Sequence, residues 1–169
     1  MPLVKSGKVV EDRYVRVADG EPEPEQGAVI VSADRFLADA EELGQRSDPV
    51  GVIWPNNRNV ADLEPHLRKL ALVALVFPAY KDGRAYSQAR LLRERYRFRG
   101  ELRATGQVLR DQFVFMLRAG FDSFEVKKQA DAEAFMQTAK RYSVFYQPTG
   151  DGRATVNQLR LQHRRSVAA

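Results

Sequence analysis

The chain reads as an α/β protein built on a mostly parallel sheet of repeated β-α units, with a β hairpin at its N-terminus. Three observations carry that reading. Short continuous apolar runs, of which Leu72–Phe77 is the clearest, have the length and content of strands buried on both faces. Stretches with apolar residues three and four apart separate these runs, as amphipathic helices require. The alternation repeats four times before a closing strand, an order that demands parallel neighbours joined by right-handed crossovers. Two architectures satisfy it: an open, flavodoxin-like layered sheet and a curved half of a (β/α) barrel.

Each element has its own signal. Val9–Val17 reads as a short hairpin or strand, and Gly20-Glu21-Pro22-Glu23-Pro24-Glu25 as an extended acidic link. Ala28–Val31 is a short apolar run, and Ser32 caps a helix that buries Ala33, Phe36, Leu37, Ala40 and Leu43 before Gly44 stops it. Val50–Trp54 is a strand closed by Pro55-Asn56-Asn57. Asn59 then caps a helix with Asp62 three residues on and Val60, Leu63, Leu67 and Leu70 on its apolar face. After strand Leu72–Phe77 come helix Arg84–Arg97, strand Glu101–Thr105, helix Val108–Ala119, strand Ser123–Val126, helix Ala130–Tyr142 and strand Val144–Tyr146. Leu72–Phe77 and Glu101–Thr105, joined by one crossover, are expected as parallel neighbours. Glu101, Arg103 and Thr105 place polar side chains at every second position of their strand, a pattern that suits a barrel lumen or a sheet edge.

The 169 residues fit a single domain, divided into N-terminal strands and acidic linker (1–27), β/α core (28–147) and basic tail (148–169). The absence of cysteine removes disulfides, thiolate nucleophiles and cysteine-ligated metal centres from the chain. His66 and His163 lie far apart without carboxylates at metal-ligand spacing, so no metal site is expected. Gly-x-Gly-x-x-Gly and Walker patterns are absent. No apolar run reaches membrane-spanning length and Met1–Ser6 lacks the core of a signal peptide, which points to the cytoplasm. A half-barrel leaves an apolar rim and an edge strand. Self-association as a homodimer or docking on a partner is therefore expected, with the N-terminal strands as the alternative cover.

The net charge of +5 is local: residues 81–110 hold nine basic and three acidic side chains. On a helical wheel Ala85, Ala89, Leu92 and Tyr96 form the buried face of Arg84–Arg97, so Arg93, Arg95, Arg97 and Arg99 read as solvated flanks, with Glu94 a partner for Arg90. Lys81, Gly83, Arg84 and Ser87 stand in a first helical turn, where backbone N–H groups and a guanidinium fork suit a tetrahedral oxyanion. Arg103, Thr105 and Gly106 end the next strand, and Arg84 and Arg103 are expected to face one basic crevice. Asp82, Arg90, Arg110 and Asp111 support it, Asp111 either orienting an arginine or complementing a helix dipole. A turn with a good cap explains Asp82-Gly83-Arg84 equally well. Nucleic-acid binding is disfavoured, because Tyr96 sits on the apolar face and no stacking platform results.

Phe77-Pro78, Asp82-Gly83-Arg84, Tyr86-Ser87, Ala89-Arg90, Gly100-Glu101-Leu102-Arg103-Ala104, Gly106, Asp111-Gln112 and Gly120-Phe121-Asp122 together resemble a bacterial family known as a domain of unknown function, labelled an oxidoreductase and tied to sulfite reduction. The resemblance implies a role in sulfur assimilation, either as an accessory that binds a sulfur oxyanion or docks on sulfite reductase, or as a small half-barrel or flavin-dependent enzyme acting on an anionic substrate. That family often carries a cysteine before the glycine at position 120, where this chain has Ala119, so the resemblance brings no redox thiol with it.

Overall fold

In the computed structural model, residues 1–140, 144–149 and 151–167 are described. Their strands are β1 (Leu3–Lys5), β2 (Lys8–Val10), β3 (Val15–Arg16), β4 (Val29–Ser32), β5 (Val50–Trp54), β6 (Leu72–Phe77), β7 (Glu101–Gly106) and β8 (Ser123–Glu125). They form one sheet in the order β2-β1-β8-β7-β6-β5-β4-β3. The ladders from β3 to β8 are all parallel, whereas β1 runs antiparallel to both β8 and β2. Leu72–Phe77 and Glu101–Gly106 are parallel neighbours over their full length. The hairpin lies earlier than Val9–Val17: it turns at Ser6-Gly7, whose φ values of 52° and 74° are those of a tight two-residue hairpin turn.

The strand order decides between the two architectures. From β3 to β8 each strand lies beside its predecessor in sequence, so right-handed crossovers put every helix on the same face. The two hydrophobic clusters agree. Val29, Val31, Val52, Trp54, Val73, Leu75, Leu102 and Ala104 pack with residues of all the core helices. The alternating positions Ile30, Leu72 and Ala74 join Ala28 and Tyr14 on the opposite face. The sheet is thus the curled half-barrel. Its curvature follows from chain length: eight flat strands about 4.8 Å apart would separate β2 from β3 by about 34 Å. Residues 11–14, which connect those two edges, reach at most about 18 Å from Val10 to Val15.

The helices are shorter and more broken than the wheel patterns imply. One apolar stripe becomes α1 (Ala33–Ala38) and α2 (Ala40–Leu43), parted at Asp39; Ser32 caps the first, accepting from the Arg35 N–H at 3.2 Å. Asn59 caps a 3₁₀ helix, Val60–His66, that contains Pro65. α3 (Arg84–Arg90) continues as a π-helical turn, Leu91–Arg95, and a 3₁₀ turn precedes α4 (Phe113–Ala119). α5 (Gln129–Lys140) brings Phe135 to 4.7 Å from the rings of both Phe113 and Phe124; Tyr142, the expected end of this helix, lies outside the described residues. Val144–Tyr146 is not a strand of the sheet: Phe145 makes one isolated bridge with Thr155. The basic tail contains a further helix, α6 (Val156–Val167), with Leu159 and Leu161 exposed. No helix among the described residues is long and apolar enough to cross a membrane.

Candidate functional site: a charged lumen and a basic rim

The concave face has two halves. Register places Ile30, Ile53, Leu72 and Ala74 on one side, and Glu101, Arg103, Thr105, Ser123, Glu125 and Lys5 on the other. The polar alternation in β7 therefore lines a lumen. Arg103 is its centre and is 1% exposed. Its Nη1 and Nη2 donate to the two Asp12 carboxylate oxygens at 2.6 and 3.1 Å, its Nε and Nη2 to Glu101 at 3.2 and 3.1 Å, and its Nη1 reaches Glu125 at 3.5 Å. Glu101 also accepts from Lys5 at 2.6 Å and Ser123 at 2.7 Å. Glu125 accepts from Thr105 at 2.5 Å and Arg16 at 3.2 Å. Arg16 lies on β3 and Glu125 on β8, so side chains rather than backbone bonds tie the two arms of the curl together.

These contacts set the protonation of the cluster. Burial works to raise the Asp12 carboxyl, but the hydrogen bonds from Arg103 and the Tyr14 N–H outweigh it and hold the group below its ordinary value. For Glu101 the same contest between burial and its Lys5, Ser123 and Arg103 partners ends in the same direction. Burial lowers the Arg103 guanidinium, and Asp12 and Glu101 more than restore it. Lys5, Arg16 and Arg103 balance Asp12, Glu101 and Glu125 charge for charge.

The remaining expected site residues stand where the parallel strands end. Lys81, Gly83, Arg84 and Ser87 are exposed. Arg84 folds back onto Asp82, its Nη2 at 2.7 Å from the carboxylate, and this bond holds Asp82 far below the usual carboxylate range. Gly83 has φ −86°, open to any residue, so its freedom is not used here. Gly106 does use it: φ is +91°, and a Cβ would lie 2.5 Å from the Phe77 carbonyl oxygen. Arg84 and Arg103 share no hydrogen-bond partner, the first held on the rim and the second inside the lumen. Asp111 makes no hydrogen bond or ion pair with either, and instead joins Tyr86, Arg90, Gln112, Phe115 and Arg118 around an outer groove of about 550 Å³. There burial, with the Asp111 charge, pushes the Tyr86 phenol up to about 12. Arg90 pairs with Glu94 as expected, and Arg97 is exposed.

Arg93 departs from expectation. Its guanidinium donates to the carbonyls of Phe98, Gly100 and Gly120 at 2.7, 2.8 and 3.0 Å and to Asp122 at 2.5 Å, leaving the side chain 13% exposed. The π turn is the reason: the Tyr96 N–H bonds the Leu91 carbonyl, i to i−5, which changes the phase of the helix that a regular wheel assumes.

Asp12, Arg16, Lys5, Ser123 and Glu125 were not singled out from the sequence. The alternation of Ser123 and Glu125 in the strand after β7 was the available signal; Asp12 had none, being 91 residues from Arg103. Among the described residues no group of three or more His, Asp or Glu is placed to hold a metal ion. The rim carries Lys81, Arg110, Lys127 and Lys128, all exposed and, among the described residues, without an ion-pair partner.

A family model described as "Bacterial protein of unknown function (DUF934)" matches residues 51–157, well over half the chain. Neither the curated proteins nor the solved structures give a match.

Proposed function

We propose, from the premise that the chain belongs to the bacterial family of unknown function DUF934, that it is a non-catalytic accessory of sulfur assimilation that docks on sulfite reductase. The observation that carries this is the contrast between the two charged regions. In the lumen every ionic group is paired with another of opposite charge. On the rim Lys81, Arg110, Lys127 and Lys128 stand exposed in the segments that follow β6, β7 and β8, and among the described residues none has an ion-pair partner. Exposed, unpaired cations complement an acidic protein surface and speed its encounter. The resemblance of the Asp82-Gly83-Arg84 and Gly100–Ala104 motifs to a family tied to sulfite reduction supports the identity of the partner. The same rim offers a sulfur oxyanion Lys81, whereas Arg84 is engaged by Asp82.

β1 pairs with β8 and β3 with β4, so N-terminal strands already lie along both sides of the parallel core. That arrangement favours a foreign partner over self-association. The test is interferometry between the purified protein and sulfite reductase at low and high salt. Saturable binding that weakens as salt rises is expected; no binding at low salt would refute the proposal.

A further inference from the structure

We infer that Arg103 is the centre of an anion-binding site in the lumen, that the protein's own Asp12 carboxylate occupies it in this structure, and that its external ligand is a small, singly charged oxyanion such as a carboxylate. Nothing in this site depends on the rim or on docking.

Four observations converge. The first is geometric: one edge of the Arg103 fork is held by Glu101 from its own strand, while Nη1 and Nη2 present two N–H donors to the two oxygens of a single carboxylate. That is the arrangement by which arginine takes carboxylates and other oxyanions. The second is the origin of the charges. Lys5, Arg16, Glu101, Arg103 and Glu125 all belong to strands of the sheet. Asp12 alone comes from the four-residue strap, residues 11–14, that spans the mouth of the curl outside any ladder. Without Asp12 the cluster keeps three cations and two anions, so one negative charge restores balance and two overshoot it.

The third observation is access. The Asp12 side chain is 35% exposed against 10% and 7% for Glu101 and Glu125, so among the three carboxylates the Asp12 position is the one that opens to solvent, next to the half-buried Lys5 and the exposed Arg16. The fourth is Tyr14, two residues along the strap. Its ring stands 5.5 Å from the Arg103 guanidinium, and its buried hydroxyl has no hydrogen-bond partner among the described residues. The strap thus packs an aromatic ring near the arginine and carries a buried hydroxyl whose hydrogen-bonding capacity is unused.

The test is Asp12→Asn, which keeps a side-chain acceptor for the Tyr14 N–H and removes the charge. Calorimetric titration with sodium formate, at constant ionic strength against sodium chloride, is compared between variant and wild type. One formate site at least tenfold tighter in the variant is expected, with a formate-dependent rise in its thermal midpoint. Equal formate affinity in both proteins, or a variant that binds formate no better than chloride, would overturn the site. Sulfate binding more tightly than formate would overturn the single-charge assignment. If the variant does not fold in chloride, recovery of folded protein in formate supports the site, and failure to fold in either salt overturns it.

Discussion

Replacing Arg103 with methionine tests whether the lumen is held by its ion pairs. The side chain is 1% exposed and bonds three carboxylates, two of which, Glu101 and Glu125, are themselves nearly buried. Removing the cation leaves buried anions facing one another, and breaking a buried pair from one side costs about 3–5 kcal/mol. Lys5 and Arg16 stay in contact with Glu101 and Glu125, which favours the lower end of that range. For a chain of this size each kcal/mol shifts the thermal midpoint by about 2–4 °C, so a fall of about 10 °C is expected. Urea unfolding followed by circular dichroism measures the loss directly. The double variant R103M/D12N sharpens the test, because Arg103 is the ion-pair partner of Asp12 among the described residues. Its loss should be smaller than the sum of the single losses by about 1–3 kcal/mol. A single-variant loss below about 1 kcal/mol, or strictly additive losses, would refute the reasoning.

Stability should also fall on the acid side: Asp12 and Glu101 have folded-state pKa values below their unfolded ones, so their contribution is complete above about pH 5–6 and is lost as pH drops through the folded values. Urea midpoints from pH 7 down to pH 3 check this, and Asp12→Asn should flatten the acid limb. Gly106→Ala should lower stability by about 1–3 kcal/mol, because it forces alanine to φ +91° and its Cβ onto the Phe77 carbonyl; an unchanged urea midpoint would contradict that. Sedimentation at micromolar concentration should find a monomer, since N-terminal strands cover both sides of the parallel core; a dimer would reopen self-association.

Local chemistry made much of this fold legible. Leu72–Phe77 declares itself as a strand because both its faces are buried, and Ser32 and Asn59 declare helix starts because their side-chain oxygens accept early backbone N–H groups. What stayed open was long-range. Flavodoxin-like and half-barrel sheets share the same local repeats and differ in strand order, which no short window contains. The polar alternation of Glu101, Arg103 and Thr105 could mark an edge or a lumen until Asp12 closed over it from the other end of the chain. Arg93 was misread because one π turn shifts a helical wheel, and a single hydrogen-bond register leaves no compositional trace. Arg84 and Arg103 share a charge and neighbouring loops, but Arg84 meets Asp82 two residues away while Arg103 points into the lumen.

The most direct measurement of the docking account is the affinity of purified sulfite reductase for the rim variant K81E/R110E/K127E/K128E beside wild type. All four side chains are exposed, so the variant should keep its thermal midpoint. Its affinity should drop at least tenfold, and the salt dependence of binding should shrink with it. Unchanged affinity in a folded variant would contradict the account.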